Sequence, residues 1–185
     1  SLGMGASGID SGDMDGDGDY ELISIHGDGY LREFVFNTQN GSFGLGAESL
    51  VSANGTAMQA TLGTLAVGKF WGSGNDTVVV ADSMDGHVTM WNVSQGNWVV
   101  GIPGSSFDCI KSGMTTLDWN GDGLLDVLGN TDMGVCTATF NGVGWSTNLT
   151  NATQLDNYSI GDWSGNGSID ILLPLQGTSD GNDST

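Results

Sequence analysis

Three nine-residue segments of the sequence carry oxygen-bearing side chains at alternate positions around a pair of glycines. The first, third, fifth and ninth residues can offer side-chain oxygens, and the seventh can offer its backbone carbonyl. Calcium prefers about six to eight hard oxygen ligands, and glycine lets so short a loop turn sharply around the ion. The spacing therefore predicts three Ca²⁺ sites. Their candidate ligands are Asp13, Asp15, Asp17, Asp19 and Glu21 in residues 13–21, Asp118, Asn120, Asp122, Leu124 and Asp126 in residues 118–126, and Asp162, Ser164, Asn166, Ser168 and Asp170 in residues 162–170.

The three segments differ in the number of carboxylates among their side-chain ligands. That number falls from four in residues 13–21 to three in residues 118–126 and two in residues 162–170. Because ligand charge raises calcium affinity, we expect the first site to bind most tightly and the last to empty first. The alternative is that these Asp, Asn and Gly clusters are ordinary turns, closed by side-chain hydrogen bonds to the backbone.

A fourth segment, residues 69–77, has the same glycine pair but lacks the ligands. Lys69, Trp71, Ser73 and Thr77 stand where the oxygen ligands should be, and Asp76 is one position out of register. Since an ammonium replaces the first carboxylate, we predict no calcium at this segment.

The residues after each loop exclude an EF-hand. An EF-hand needs an exiting helix and a bidentate Glu at the twelfth position, which is Ser24, Gly129 or Leu173 in the three candidate loops. Apolar and β-branched residues follow each loop instead, as in residues 22–25 and 78–81. These residue types favour strands over helices.

The four segments begin at residues 13, 69, 118 and 162, so the sequence repeats every 44 to 56 residues. Each repeat reads as strand, loop, strand, turn, strand and a weaker fourth strand, a length typical of one propeller blade. We predict a single all-β repeat domain of about three and a half four-stranded antiparallel blades. Their predicted bounds are 1–50, 51–106, 107–154 and, for the partial blade, 155–185. A neighbouring subunit or a longer chain would complete such a β-propeller.

The loop pattern, Asp-x-Asp/Asn-Gly-Asp/Asn-Gly-x-x-Asp followed by an apolar strand, resembles the FG-GAP (integrin α-like, VCBS-related) repeat family. The resemblance extends over nearly the whole chain, through residues 13–21, 118–126 and 162–170. It implies a β-propeller with calcium bound at hairpins within its blades. It also implies adhesion, ligand binding or scaffolding outside the cell.

The charge of the chain excludes several classes of partner. Three basic residues stand against 22 acidic ones, a formal net charge of −19, which argues against nucleic acid and anionic membranes. A saline habitat is the alternative explanation for this excess. No apolar stretch is long enough to insert into a membrane, and the start at Ser1 is expected to be a processed or cut end.

Sequons and cysteines indicate an extracellular or cell-surface protein. Nine of the fourteen asparagines head an Asn-x-Ser/Thr sequon, where composition alone predicts about three. The sequon inside residues 162–170 is the least suitable acceptor. Cys109 and Cys136 fit one disulfide, although two reduced core thiols would look identical in sequence. Export favours the disulfide. The predicted glycosylation sites are Asn40, Asn54, Asn75, Asn92, Asn148, Asn151, Asn157 and Asn182.

The tryptophans and histidines are expected to have structural roles and not catalytic ones. Trp119 and Trp163 occupy the second position of their loops, as Met14 and Phe70 do, which predicts packing between blades. Trp98 and Trp145 lie in turn-like sequence and are predicted to be exposed. The two histidines, His26 and His87, have no evident nucleophile or orienting partner, so we expect surface or turn positions and no enzyme.

The sequence thus favours a structural or adhesive extracellular module, forming part of a surface assembly or fibre. Its expected partners are a protein or glycan ligand and further copies of itself, joined by strand addition. The alternatives are a carbohydrate-binding propeller, or a non-catalytic fragment of a larger toxin or polysaccharide-degrading enzyme.

Overall fold

A computed structural model describes residues 5–53, 56–57, 64–71, 74–100, 107–132, 134–151 and 159–172. The described residues form only β-strands and connecting turns, so the all-β prediction is confirmed. None of them forms an apolar helix of membrane-spanning length. The strands are β1 (Ala6–Gly12), β2 (Glu21–His26), β3 (Tyr30–Asn37), β4 (Ser42–Leu50), β5 (Ser52–Ala53), β6 (Thr56–Ala57), β7 (Leu65–Gly68), β8 (Thr77–Ala81), β9 (His87–Ser94), β10 (Asn97–Val100), β11 (Phe107–Asp108), β12 (Ser112–Leu117), β13 (Asp126–Asn130), β14 (Gly134–Phe140), β15 (Trp145–Asn151), β16 (Ser159–Gly161) and β17 (Asp170–Leu172).

The strands pair as consecutive antiparallel meanders. Sheet 1 has the order β1-β2-β3-β4, sheet 2 the order β7-β8-β9-β10, and sheet 3 the order β12-β13-β14-β15. The pair β16-β17 forms sheet 4, and β5-β6 is a separate small hairpin. Each of the four repeated loops connects the first strand of a sheet to its second strand. The described strands form no closed ring.

The end of sheet 2 lies slightly beyond the predicted boundary at residue 107. Strand β11 pairs with the start of β9, at Val88 and His87, and so belongs to sheet 2 rather than to the third repeat. Both strands pair with the same edge of β9. Strand β10 pairs with it only from Ser94 to Trp91, so β11 can pair with its first residues.

The sheets pack face to face, and each interface is a buried apolar cluster. Ile23 and Ile25 of sheet 1 share one cluster with Val78 and Val80 of sheet 2. Val79 of sheet 2 shares the next with sheet 3, and sheet 3 shares a third with sheet 4. Strand β8 is buried on both faces, which explains why it reads as an uninterrupted apolar run.

Contacts between the first strands bring the repeated loops to one end of adjacent sheets. Strand β7 contacts both β1 and β12, and β4 contacts β10. The Val67 N–H donates to Asp10 Oδ2 (2.9 Å), and the Trp98 indole N–H donates to the Ala47 carbonyl (3.2 Å). These polar contacts fix the alignment of sheet 2 on sheet 1.

A disulfide joins Cys109 to Cys136 of β14, with their Cα atoms 6.0 Å apart. Cys136 is fully buried, and Cys109 packs against the same cluster between sheets 2 and 3. The Cys109 N–H also donates to the Gly86 carbonyl (2.9 Å). The disulfide therefore ties sheet 3 to the segment that crosses from sheet 2.

Candidate metal centre

The first candidate loop wraps around the side chain of Asp13. The Gly16 N–H donates to Asp13 Oδ1 (2.7 Å), and the Gly18 N–H donates to Asp13 Oδ2 (3.2 Å). Both glycines have a positive φ, 83° and 94°, in the left-handed region that other residues rarely adopt. The Gly-x-Gly spacing is thus what lets the backbone bend around one carboxylate.

Further carboxylates close the loop. Asp15 Oδ1 accepts from the Asp17 N–H (3.2 Å), and Asp17 Oδ1 accepts from the Asp19 N–H (2.8 Å). Glu21 Oε2 accepts from the Met14 N–H (2.9 Å), which joins the end of the loop to its beginning. Asx-type turns are therefore present, and they aim several carboxylates toward one side of the backbone.

Asp13, Asp15 and Glu21 are brought together by this folding. One oxygen from each lies within 4.8 Å of the others, and the described residues hold no second such set of acidic, histidine or cysteine side chains. A carboxylate has about four lone-pair sites, so a backbone hydrogen bond to each oxygen leaves sites for a cation. The donor set, all hard oxygens from a loop with room for further ligands, fits calcium.

The carboxylate of Glu21 is buried beside other negative charges. The residue is only 4% exposed. Loss of solvation raises the pKa of the Glu21 carboxyl, the Met14 N–H offsets part of this shift, and the charge of Asp15 adds to it. The described basic side chains are engaged or exposed elsewhere: Arg32 pairs with Asp28 and Glu48, Lys111 pairs with Asp132, and Lys69 is exposed.

The loop of residues 118–126 has the same backbone pattern. Asp118 accepts from the N–H groups of Gly121 (2.8 Å) and Gly123 (2.9 Å), both of which have positive φ. Asp122, however, accepts from the Asn120 amide (2.9 Å) and the Leu124 N–H (2.9 Å). Asn120 stands where the first loop has Asp15, so this loop offers one carboxylate fewer to a cation.

Asp126, the ninth residue of that loop, is completely buried. It accepts from the Trp119 N–H (2.9 Å) and from the Phe140 N–H (2.7 Å), so it ties the loop to β14. Burial raises the pKa of the Asp126 carboxyl, and these two N–H groups offset part of the shift.

The loop of residues 162–170 repeats the pattern in an exposed setting. Asp162 accepts from the N–H groups of Asn166 (3.0 Å) and Gly167 (2.8 Å). Asp170 accepts from the Ser164 N–H (2.8 Å), and the hydrogen bonds from Ser164 lower its pKa. The structure thus places all three predicted loops in one shape, with the densest carboxylate group in the first.

Two residues of the segment 69–77, Asn75 and Asp76, contact the first loop. The Asp13 N–H donates to Asp76 Oδ2 (2.9 Å), and the Asp76 N–H donates to the Asp13 carbonyl (2.8 Å). The Asn75 amide donates to the Met14 carbonyl (3.0 Å). The sequence analysis did not predict this support. Its one indication in the sequence is the eighth position of the segment, which is Asp76 here but Leu125 and Ile169 in the two loops that follow. Ser73 lies outside the described residues.

The sequons differ in accessibility. Asn40, in the turn between β3 and β4, and Asn148, on β15, are exposed. Asn75 is already engaged with Met14, and Asn92 is half-buried and accepts from the Thr77 hydroxyl (2.8 Å). Asn151 ends β15 without a described side chain, while Asn54, Asn157 and Asn182 lie outside the described residues.

The predicted exposure of Trp98 and Trp145 was wrong. Trp98 is buried at the interface between sheets 1 and 2. It lies on strand β10, opposite Val93 of β9, and not in a turn. Trp145 is half-buried against Phe107 and Phe140, with ring centroids 4.9 Å away in both cases. The predicted packing of the second loop residue between sheets is confirmed for Met14 and Phe70, which are buried, and for Trp119, which packs against the cluster between sheets 3 and 4. The prediction is wrong for Trp163, which is exposed.

The histidines occupy different environments. His26 was expected in a turn or at the surface, but it is buried at the end of β2, where its Nε2 lies 2.9 Å from Ser24 Oγ. His87 forms a hydrogen bond through Nδ1 with the exposed Asp108. Ser24 and His26 are both buried.

The raised pKa values of Glu21 and Asp126 predict the pH dependence of the metal-free protein. Their usual carboxyl values are 4.5 and 3.8. A raised folded-state pKa gives stability that is present below the unfolded value and is lost as pH rises through the folded value. We expect the Tm in EDTA to increase as pH falls from neutral toward the carboxyl range. With calcium bound to the ionised carboxylates, the Tm should instead decrease on acidification. Calorimetry across this pH range tests both signs, and equal pH profiles with and without calcium would contradict the prediction.

Comparison with known proteins gives no independent assignment: neither a protein-family model nor a curated protein matches this sequence.

Proposed function

We propose that this protein is a calcium-binding structural or adhesive module of the extracellular space, built from β-propeller-type repeats. The observation that carries the proposal is the group Asp13, Asp15 and Glu21, whose oxygens converge within 4.8 Å although Glu21 is buried. A buried carboxylate among like charges is costly unless a cation neutralises it. A calcium ion in the first loop would supply that charge.

The packing of the sheets supports the propeller-type architecture and the FG-GAP-like assignment. Each complete repeat forms a four-stranded meander. The first strand of each sheet contacts the first strand of the next, β1 with β7 and β7 with β12. Blades of a propeller are related in this way, with their first strands side by side near the axis. The shared loop between the first and second strands lies at the same place in each sheet.

The extracellular assignment is supported by two kinds of residue. The disulfide between Cys109 and Cys136 is typical of oxidising compartments. Asn40 and Asn148 place sequons on exposed turns or strands where a glycan would not disturb the core. Protein or glycan ligands and further copies of the chain are the proposed partners.

Isothermal titration of the metal-free protein with calcium tests the function. We expect up to three sites, with the first loop tightest, and affinities of about 10⁻⁴ M, as in other extracellular modules. The matched variants Asp13→Asn, Asp118→Asn and Asp162→Asn should each remove one site and leave the others. An absence of binding at millimolar calcium, with a Tm indifferent to EDTA, would leave the loops as simple turns.

A further inference from the structure

Sheet 1 exposes an apolar face whose counterparts on sheets 2 and 3 are buried. We call the side of a sheet that points toward the preceding sheet its front face, and the opposite side its rear face. On the front face of sheet 1, Phe36 is 45% exposed and Phe43 is 49% exposed, although their rings pack together at 5.1 Å. Ile9 and Tyr20 are also exposed.

Strand register identifies the counterparts of this aromatic pair. Phe36 lies opposite Phe43 as Val93 lies opposite Trp98 in sheet 2 and as Phe140 lies opposite Trp145 in sheet 3. Trp98 and Phe140 are buried, and Val93 and Trp145 pack against buried clusters. The front face of sheet 1 therefore has the composition of an inter-sheet interface, but its aromatic pair is exposed among the described residues.

In the covered interfaces, the second residue of the preceding loop caps the pair. The Phe70 ring lies 6.4 Å from the Phe140 ring and 5.8 Å from the Trp145 ring. Met14 likewise shares a buried cluster with Trp98 and lines a cavity of about 370 Å³ beside Val93. The matching cavity on sheet 1, about 400 Å³, is lined by residues of sheet 1 and its own loop, among them Phe36, Phe43 and several carboxylates.

The missing cap is exposed at the other end of the described chain. Trp163 is the second residue of the last loop, and it is 63% exposed. Leu172, on the rear face of sheet 4, is 54% exposed, whereas its counterparts Ile23, Val79 and Leu128 are fully buried. The molecule thus displays both halves of the interface that it buries between its own sheets.

We propose that a second copy of this chain covers the front face of sheet 1 with the rear face of its sheet 4. Trp163 of one copy caps Phe36 and Phe43 of the next. Such a contact is head-to-tail, so it generates rings or filaments. The inference rests on the repeat architecture of the proposed function but not on its calcium binding.

The charge of the molecule sets the conditions for association. Copies with a formal charge of −19 each repel one another at low ionic strength. Screening at about 0.15 M salt shortens this repulsion to a range of about 8 Å. We therefore expect association to strengthen with salt and with calcium.

Sedimentation of single-site variants tests the interface. We expect Trp163→Ala and Phe43→Ala each to weaken association about 30-fold, the loss typical of a central aromatic contact. Val143→Ala, which removes an exposed apolar side chain elsewhere, is the matched control and should leave association unchanged. Circular dichroism and the Tm of each variant verify that it folds. A monodisperse monomer for the unaltered chain at about 100 μM would overturn the proposal, since interfaces of this kind give dissociation constants well below that level.

Mixing two blocked variants tests the head-to-tail geometry. Phe36→Asp blocks the front face and Trp163→Asp blocks the rear face, so neither variant should assemble alone. Together they should form a dimer and stop, because each supplies the face that the other lacks. If Trp163→Asp still self-associates while Phe36→Asp does not, the contact is front-to-front and the proposal fails. Saturable binding of a glycan to the front face of a protein that stays monomeric would also overturn it.

Calcium titration of the same samples separates this proposal from the proposed function. Monomers that bind calcium would refute only the interface. Assemblies that bind no calcium would refute only the metal sites.

Discussion

Replacing Asp13 by alanine is expected to remove the tightest calcium site and to destabilise even the metal-free protein by about 3 kcal/mol. The Asp13 carboxylate accepts hydrogen bonds from Gly16 and Gly18, and the side chain is buried. Its loss leaves two N–H groups without their acceptor in a loop that depends on them for its shape. With free calcium about a hundredfold above the dissociation constant, the lost binding adds about 2.7 kcal/mol. Denaturant unfolding in EDTA and in calcium measures the two contributions separately.

Asp19→Ala is the matched control for this variant. It removes the same charge from the same loop, but Asp19 is proposed to contribute only its backbone carbonyl. We expect calcium affinity to change little and the metal-free stability to stay near that of the unaltered protein. If Asp13→Ala and Asp19→Ala had equal effects, the first loop would respond only to net charge and not to a built site.

Reduction of the disulfide is expected to have the second large effect, a loss of about 3.5 kcal/mol from the chain-entropy relation for the loop it closes. Cys109 and Cys136 are separated by 27 residues, and that span includes the whole loop of residues 118–126. The reduced unfolded chain gains the freedom that the crosslink removed. Unfolding in guanidinium with and without a reductant measures the difference in free energy.

The double variant Cys109→Ala/Cys136→Ala provides the control. It should show the same reduced stability with and without the reductant, because it has no bond to break. A chain whose unfolding midpoint does not respond to reductant, although mass spectrometry shows both thiols free, would contradict this prediction.

Features that depend on local chemistry were readable in the sequence. Asp13 and Gly16 lie within one loop, so side-chain oxygens and glycines at fixed spacing were enough to predict its turn. The short run of apolar, β-branched residues in β8 was enough to predict a strand. The all-β class and the position of each loop between two strands follow from these short-range signals.

Features that depend on contacts between sheets could not be read in this way. Trp98 follows an Asn next to a turn, and only its pairing with Val93 and its approach to Ala47 make it buried. His26 ends a strand whose burial is decided by packing, not by the residue itself. The contact from Asp76 to Asp13 spans 63 residues, beyond the reach of any local pattern.

The relative positions of the loop carboxylates could not be predicted from the sequence either. The sequence ranks the loops by charge, yet it does not reveal that one oxygen each of Asp13, Asp15 and Glu21 lie within 4.8 Å of one another. Burial of the ninth residue, Glu21 or Asp126, likewise depends on the strand that follows the loop. These differences arise because the loops occupy the same position in their repeats but contact different residues of the neighbouring sheet.

The support that Asp76 gives to Asp13 means that the repeats are not interchangeable parts. Asp76 departs from the pattern of the other loops, and at this position it supports the backbone of the repeat before it. Exchanging the segment 69–77 for a copy of residues 13–21 would place a tyrosine at the position of Asp76 and remove the hydrogen bond to Asp13. If the first loop binds calcium as proposed, a second copy of that loop in the next repeat would therefore weaken the original site.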